Sequence, residues 1–162
     1  MCVRRLQGMD IADQTRARLL RDMYEAEARY LASGGPGVAD FSTLVPFFAD
    51  DVILHQADSL PYGGTWRGHG GLERFFLAMS RTWSAFDMAG QRFLSTAETA
   101  VVHTDVHACA RATGRRLEFP ILQTIRFVGR RIAEVRPFYW DVAAIAAACR
   151  ATADSAPGAR PH

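Results

Sequence analysis

Lysine is missing from this 162-residue sequence, so all 19 of its basic residues are arginine. The 17 acidic residues nearly balance them, which leaves a net charge of only +2. A surface that binds nucleic acid normally carries a strong excess of positive charge. The composition therefore excludes a broad electrostatic footprint for nucleic acid, and we expect no nucleic-acid partner.

Cysteine and long apolar segments are also scarce. The three cysteines, Cys2, Cys109 and Cys149, are too widely spaced for a C-x-x-C metal or redox motif. No apolar run reaches the roughly 18 to 20 residues that cross a bilayer, and the first residues lack a secretory apolar segment. We therefore expect a cytoplasmic protein with reduced cysteines and no membrane contact.

Catalytic signatures based on serine, cysteine or metal ions are missing too. The sequence has no G-x-S-x-G motif, and spacing alone supports no Cys-His pair. His103, Asp105 and His107 alternate along one predicted strand and would share a face, which is a ligand set that a divalent metal could use. Because neighbouring strands would have to leave that face open and dry, we interpret the three side chains as a polar sheet surface or a dimer contact. We predict neither a metal nor another cofactor.

The patterns that are present begin with helices. Apolar side chains recur at helical spacing from Asp10 to Leu31, and the SGGPG segment that follows ends this helix. The segment FSTLVPFFADDV predicts a second short helix that leads into a strand beginning at Val52. After a turn over 61–64, the apolar face of residues 70–80 predicts a third helix.

From Phe86 the apolar pattern alternates, which is typical of β-strands. The candidate strands are 88–95, 100–112, 116–127 and 131–141. Helices followed by a strand meander predict an α+β fold in which helices cover one face of an antiparallel sheet. We expect a single domain over residues 10–150, with flexible termini over 1–9 and 151–162.

Alternation also assigns side chains to the two faces of this predicted sheet. The core-facing set includes Thr104, Val106, Phe119, Ile121, Gln123, Val135 and Tyr139 on the later strands. On the strand that begins at Val52, Leu54, Gln56 and Asp58 share the inward parity. Gln123 interrupts an apolar face, and a buried amide without a hydrogen bond costs roughly 1 to 3 kcal/mol, so we expect it to bond a neighbour, a water or a ligand. Arg126 and Glu134 lie outward on adjacent strands and predict an ion pair. Phe138 and Trp140 also point outward, which predicts that a second subunit covers this face.

Several motifs together resemble a known family. The helical start, FFADDVILHQ, the Gly-rich turn into a helix, QTIRF and IAEVRPFYWD are similar to the SnoaL-like and ketosteroid-isomerase branch of the cone-shaped fold typified by nuclear transport factor two. The resemblance covers roughly residues 13–147. It implies a curved sheet wrapped against the helices, a deep apolar pocket and dimerisation through the outer sheet face. It does not fix the activity, because this fold hosts cyclases, isomerases, dehydratases, epoxide hydrolases and non-catalytic proteins.

The resemblance also implies positions for a site. The base that follows the family's F-A-D-D motif falls on Gln56, and the acid that precedes the Arg-Phe of QTIRF falls on Gln123. The tyrosine of the first helix falls on Tyr24, with Tyr30 as the alternative, and Tyr139 falls on a pocket-wall aromatic. We expect Tyr139 to bind the substrate together with the core-facing Val106, Phe119, Ile121 and Val135. A glutamine cannot take a proton at neutral pH, but its amide can donate a hydrogen bond to a developing oxyanion.

Proton transfer would then depend on other groups. If the reaction needs it, Asp58, His55 or Tyr24 would supply it. The turn over 61–64 is predicted to fold Tyr62 and Trp66 across the pocket mouth as an aromatic rim, and the alternative is that both only pack under the loop.

Two functions remain open. The first is a cofactor-independent cyclase or isomerase of bacterial secondary metabolism, acting on a hydrophobic, polyketide-like carbonyl compound. The second is a non-catalytic ligand-binding or scaffold protein with the same fold. Asp58 discriminates between them, because an inward carboxylate with a raised pKa favours the enzyme and a solvated one favours the binder.

Overall fold

Six strands form one sheet that packs against helices. A computed structural model describes residues 11–150, with side chains from residue 14 onward. In this part of the chain the helices are α1 (Ile11–Ala32), α2 (Gly68–Thr82) and α3 (Val142–Cys149), and the strands are β1 (Phe48–Gln56), β2 (Gly64–Arg67), β3 (Trp83–Ser95), β4 (Thr99–Ala110), β5 (Arg116–Val128) and β6 (Arg131–Tyr139). The strand order β2-β1-β6-β5-β4-β3 leaves two open edges. The predicted α+β fold is confirmed, and the predicted flexible termini lie outside the described residues.

The sheet is mostly antiparallel, with one exception. β1 and β6 run parallel, and Leu54 lies opposite Val135, so the prediction of a purely antiparallel sheet is wrong at this pair. A parallel neighbour requires a long crossover, which α2 and the β3–β5 meander provide. The pairing of β3 with β4 shifts between Met88 and Gln91, and such a bulge bends the sheet locally.

Helix α1 forms and ends as its sequence predicts. Leu20, Met23 and Tyr24 are buried on one face, as expected for an amphipathic helix on a sheet. The backbone of Gly34 has a φ of 106°, a conformation that side chains with a Cβ rarely adopt. A Cβ at this position would also approach Val38 to 2.6 Å. The chain therefore leaves the helix at this glycine.

The predicted second helix is wrong. Two 3₁₀ turns, Phe41–Thr43 and Val45–Phe47, occupy its place, and β1 begins at Phe48 rather than Val52. Asp40 caps the first turn by accepting a hydrogen bond from the Ser42 N–H at 2.9 Å. The chain has too few residues here for helical cooperativity, and pairing with β6 takes over at the start of β1.

The second half of the chain also departs from the predicted element boundaries. β2 begins at Gly64, the last residue of the predicted turn, and pairs with β1 as a short edge strand that was not predicted. β3 starts at Trp83, five residues earlier than expected from the alternation. The last predicted strand ends at Tyr139, and Asp141 caps α3 by accepting a hydrogen bond from the Ala144 N–H at 2.9 Å.

The predicted assignment of side chains to the two faces of the sheet is confirmed. The buried inner face includes Val102, Thr104, Val106, Phe119, Ile121, Ile125 and Val135. Ile132 is an exception, because it has the outward parity of Glu134 but is buried where the β5–β6 register shifts. On the outer face, the predicted Arg126–Glu134 pair is present, with 3.3 Å between Nε and Oε2. None of the helices in residues 11–150 has the length and apolar character needed to span a membrane.

Candidate functional site

A cavity of about 370 Å³ lies between the inner face of the sheet and helices α1 and α2. Most of its lining is apolar and aromatic. The lining side chains that can form hydrogen bonds through N–H or oxygen are Tyr24, Glu27, Gln56, Ser80, Trp83, Ser84, Thr104, Arg111, Gln123 and Tyr139. A mainly apolar pocket with a few placed polar groups is typical of a small-molecule site.

Gln123 is bonded to a tyrosine of the first helix. The hydroxyl of Tyr24 donates to Gln123 Oε1 at 2.7 Å, which confirms that the amide has a partner. Burial, and then the negative charge of Glu27, raise the pKa of Tyr24 well above its usual range, so its proton stays in place at neutral pH. The amide oxygen is therefore bonded, whereas the amide nitrogen forms no hydrogen bond with the residues that the structure describes and is available to a ligand.

Gln56 forms a matching pair at the other side of the cavity. The hydroxyl of Tyr139 donates to Gln56 Oε1 at 2.8 Å. Burial also raises the pKa of Tyr139 well above its usual range. No hydrogen bond among the described residues uses the amide nitrogen of Gln56, so the second pair likewise offers N–H donors.

The strand register sets the distance between the backbone positions of Gln56 and Gln123. Leu54 lies opposite Val135 in the parallel pair, which puts Gln56 level with Pro137. Pro137 pairs in turn with Gln123. The two glutamines thus stand in one row on the inner face, two strand spacings or roughly 10 Å apart at the backbone.

Glu27 contributes a carboxyl to the cavity that the sequence did not lead us to expect. Its half-buried side chain lines the cavity, and burial raises its pKa to about 7. Among the described residues, no hydrogen bond or ion pair satisfies this carboxyl. A signal was present in the sequence: Glu27 lies three residues after Tyr24 and four before Leu31, on the apolar stripe of α1, where a carboxylate is out of place.

A second polar atom in the cavity also lacks a partner. The Thr104 side chain is 1% exposed, and its hydroxyl forms no hydrogen bond among the described residues. Alternation placed Thr104 correctly on the inner face, but hydrogen bonding depends on neighbours that the sequence does not reveal. The hydroxyl adds a further position at which a polar ligand atom can bond.

Two predicted catalytic residues lie elsewhere. Asp58 is exposed in the turn after β1, so the inward position expected for it is wrong. His55 is on the outer face, where its Nε2 lies 2.9 Å from Glu134 Oε1. β1 ends at Gln56 and the chain turns away from the cavity, which breaks the alternation that predicted Asp58. Neither residue can move a proton in the cavity.

The predicted aromatic rim is also wrong. Tyr62 is 1% exposed and packs edge-to-face with Phe75. Trp66 donates from Nε1 to the Tyr62 carbonyl at 3.1 Å. Neither residue lines the cavity, and both pack under the turn, which was the alternative interpretation.

The remaining predicted residues divide between cavity and core. Ile121 and Val135 line the cavity, whereas Val106 and Phe119 do not. Those two pack with Tyr62 and Trp83 in a second apolar cluster. They face inward as predicted, but the curved sheet brings this part of its inner face against other side chains rather than the cavity.

Tyr30, the alternative tyrosine of the first helix, is excluded from the cavity. It packs against Phe41 and Phe76 at 5.8 Å between ring centroids.

On the outer face, His103 Nδ1 lies 3.1 Å from Arg92 Nη2. In the described part of the chain no three His, Cys, Asp or Glu side chains are grouped to hold a metal.

Solved structures with this fold come from several bacteria. An NTF2-like protein from Burkholderia xenovorans is 21% identical, with a TM-score of 0.74, over 88% of this chain and 100% of its own. A putative SnoaL-like polyketide cyclase from Jannaschia sp. is 9% identical, with a TM-score of 0.70, over 88% and 96%. TerC, co-crystallised with polyporic acid, is 13% identical, with a TM-score of 0.69, over 83% and 97%. At these identities the likeness shows the fold.

The family follows from the sequence. No curated protein matches the chain. The family model described as a SnoaL-like domain matches residues 20–135, a span that begins in α1, ends in β6 and contains every glutamine and tyrosine of the two hydrogen-bonded pairs except Tyr139. The chain is a member of the SnoaL-like domain family.

Proposed function

We propose that this protein is a cofactor-independent cyclase or isomerase of bacterial secondary metabolism, acting on a hydrophobic, polyketide-like compound that carries a carbonyl group. The observation that carries the proposal is the pair of glutamines in the apolar cavity, each with its oxygen occupied by a tyrosine hydroxyl. This arrangement leaves amide N–H groups as the donors for a ligand, and N–H donors suit a carbonyl oxygen.

The same donors favour a reaction as well as binding. When a carbonyl compound loses an α-proton, negative charge develops on its oxygen, and a preorganised N–H donor in a dry site stabilises that charge more than the neutral carbonyl. The tyrosine bonds hold each amide in one orientation, so little reorganisation is needed. Holding a flexible chain in a reactive conformer lowers the barrier of a ring closure further.

Proteins with a similar fold are consistent with such a ligand. One has been described as a putative SnoaL-like polyketide cyclase, and TerC was co-crystallised with polyporic acid. The cavity volume of about 370 Å³ falls within the ordinary range for small-molecule sites, roughly 300 to 1,000 Å³.

A second candidate is a non-catalytic binding protein with the same cavity. The exposed position of Asp58 favours it, as does the presence of Gln56 and Gln123 where the family resemblance implies carboxylates. Glu27 weighs against it, because an unpaired carboxyl with a raised pKa lines the cavity, and such groups are enriched at catalytic sites.

Calorimetric titration with a panel of ketones and phenols, including 2-tetralone and polyporic acid, tests the proposal. We expect at least one ketone to bind and Gln123→Ala or Gln56→Ala to weaken it roughly tenfold, the value of one hydrogen bond of about 1.4 kcal/mol. Gln91→Ala is the matched control, since Gln91 is a half-buried sheet amide that does not line the cavity. Binding or turnover that persists unchanged in the Gln56→Ala/Gln123→Ala double variant contradicts the assignment.

We also propose that the protein forms a homodimer through the outer sheet face. Leu122 pairs with Phe138 across β5 and β6, and these side chains are 42% and 52% exposed, with Trp140 beyond them 85% exposed. The surrounding outer face carries both Arg136 and Glu134. A second copy presents the same apolar pair with the same mixed charges, so the surface is self-complementary across a twofold axis.

A further inference from the structure

Glu27 differs from every other ionisable group of the cavity. Among the described residues it is the one carboxyl in the lining, which otherwise contains the titratable side chains of Tyr24, Tyr139 and Arg111. Both tyrosine hydroxyls are engaged by the glutamines. Arg111 donates from Nε to the Ser80 carbonyl at 3.1 Å and from Nη2 to the Trp83 carbonyl at 3.0 Å. No ion pair joins Arg111 to Glu27.

Among the described residues, Arg111 is the one other charged side chain in the cavity lining. The β3 residues that line the cavity are Trp83, Ser84, Ala85, Phe86 and Met88, and the segment after α1 contributes Gly34, Gly35 and Pro36. Tyr24 lies one helical turn before Glu27 on the same face of α1, so the carboxyl is close to the Tyr24–Gln123 pair. A group that can hold or release a proton therefore stands beside the donors that can hold a carbonyl oxygen.

We propose that Glu27 is the catalytic residue that moves the proton in this cavity. The inference rests on the proposed function, because it needs a carbonyl compound bound at Gln123. It assigns to α1 the role predicted for His55 on β1 and for Asp58 just after it.

The chemical step balances without a cofactor. The Glu27 carboxylate removes a proton from the carbon next to the carbonyl. The electron pair of that C–H bond forms a C=C bond to the carbonyl carbon, and the π pair of the C=O bond moves to the oxygen. The resulting enolate oxygen accepts a hydrogen bond from the Gln123 amide nitrogen. Where the substrate has a C=C bond conjugated with the enolate, Glu27 returns the proton to the far carbon of that bond, which completes an isomerisation. Otherwise Glu27 returns the proton to the alkoxide formed when the enolate carbon attacks a second carbonyl, which completes an aldol closure. Either route regenerates the carboxylate.

Exchange of α-hydrogens for deuterium in bound 2-tetralone tests this role directly. In deuterated buffer a base in the cavity removes the α-proton and returns a deuteron, which NMR of the ketone records. We expect Glu27→Gln to slow the protein-catalysed exchange at least about 100-fold, the usual contribution of a general base, while ketone affinity changes less than about threefold. The wild-type rate should rise with pH and level off above the Glu27 pKa of about 7, because only the carboxylate accepts a proton.

Two further variants separate chemistry from structure. Glu25→Gln is the matched control, since Glu25 is on the exposed side of the same helix in a surface pair with Arg29, and we expect it to leave the exchange rate unchanged. Glu27→Asp retains a carboxyl and should restore part of the rate that Glu27→Gln loses. A structural role alone would not produce this rescue.

The outcomes distinguish the two proposals. If no ketone binds, the proposed function fails and the catalytic role of Glu27 fails with it. If 2-tetralone binds through Gln123 but exchanges equally fast in wild type and Glu27→Gln, the proposed function survives and the role of Glu27 is overturned. If 2-aminotetralin binds more than tenfold tighter than 2-tetralone only when Glu27 is present, and exchange does not depend on Glu27, the carboxyl recognises a cation, which also overturns the inference.

Discussion

Glu27 and Glu134 lie on opposite sides of the same sheet, and their surroundings shift the pKa of the two carboxyls in opposite directions. Burial without a cationic partner raises the pKa of Glu27 to about 7. Partial burial also acts to raise the pKa of Glu134, but hydrogen bonds from Arg126 and His55, together with their charges, outweigh it and lower the pKa.

The geometry explains this difference. Glu134 Oε1 lies 2.9 Å from His55 Nε2 and 3.3 Å from Arg136 Nη2, and Oε2 lies 3.3 Å from Arg126 Nε. Glu27 has no such neighbour within the described residues. A carboxylate whose oxygens are bonded to cationic side chains of the protein has a structural role. A cavity carboxylate without such partners is available to a ligand.

The largest effect is expected when a new carboxylate is placed on the outer face, where it lacks the cationic partners that Glu134 has. If two copies meet at the Leu122–Phe138 pair, Phe138→Asp brings like charges together across the twofold axis, which costs about 3 kcal/mol or more and weakens the dimer at least about 100-fold. Light scattering coupled to size-exclusion chromatography measures this change. Val38→Asp is the control, because Val38 is exposed and apolar but lies outside the sheet. A wild-type monomer, or a Phe138→Asp dimer as tight as wild type, contradicts the proposal.

Removing the inner carboxyl should produce the next largest effect. The folded-state pKa of Glu27 lies above its ordinary value of 4.5, so the stability that its protonation contributes is fully present below pH 4.5 and is lost as the pH rises through about 7. The glutamine in Glu27→Gln cannot ionise. We therefore expect the free energy of unfolding of this variant to be higher than that of wild type near pH 8, by at most about 3 kcal/mol, and nearly equal to it near pH 4.5.

Urea denaturation of both proteins across this pH range measures the difference. The matched variant Glu25→Gln should show no such pH dependence. A constant offset between Glu27→Gln and wild type at every pH means that the Glu27 carboxyl has an ordinary pKa.

Removing the outer carboxyl should give the smallest change, with the opposite sign. Because the pKa of Glu134 is lowered, its stabilising effect is present above the unfolded pKa and disappears as the pH falls through the folded one. Its partners are half exposed, so we expect Glu134→Gln to destabilise by only about 0.5 to 1 kcal/mol at pH 7. Denaturation at pH 7 and near pH 3 should show the loss only at the higher pH, and a loss of equal size at both values contradicts the assigned pKa shift.

Much of the fold was predictable because periodicity is a local property of the chain. The strand alternation correctly assigned Gln123 and Tyr139 to the inner face and Phe138 to the outer face. The errors occur where local signals are weak or shared. β2 has only four residues and forms because β1 offers an edge to pair with. Its sequence has no clear alternation, and it begins at a glycine that is typical of a turn.

The site was predictable only in part. Gln56, Gln123 and Tyr24 were predicted as site residues. The hydrogen bonds that pair each glutamine with a tyrosine were not predicted, because they join elements that are far apart in sequence. Asp58 was misplaced because β1 ends before it and the chain turns. Glu27 was overlooked although it interrupts an apolar helix stripe, since a lone carboxylate there has no meaning until the opposing surface is known.

The sequence by itself determined the long helices and strands, their inner and outer faces and the family, because hydrophobic periodicity, turn residues and motifs depend on neighbouring residues. The tertiary structure decided which ionisable group faces the cavity and which is neutralised. Desolvation and charge pairing depend on distances across the sheet, and those distances exist only once the strands have paired and α1 has packed against them.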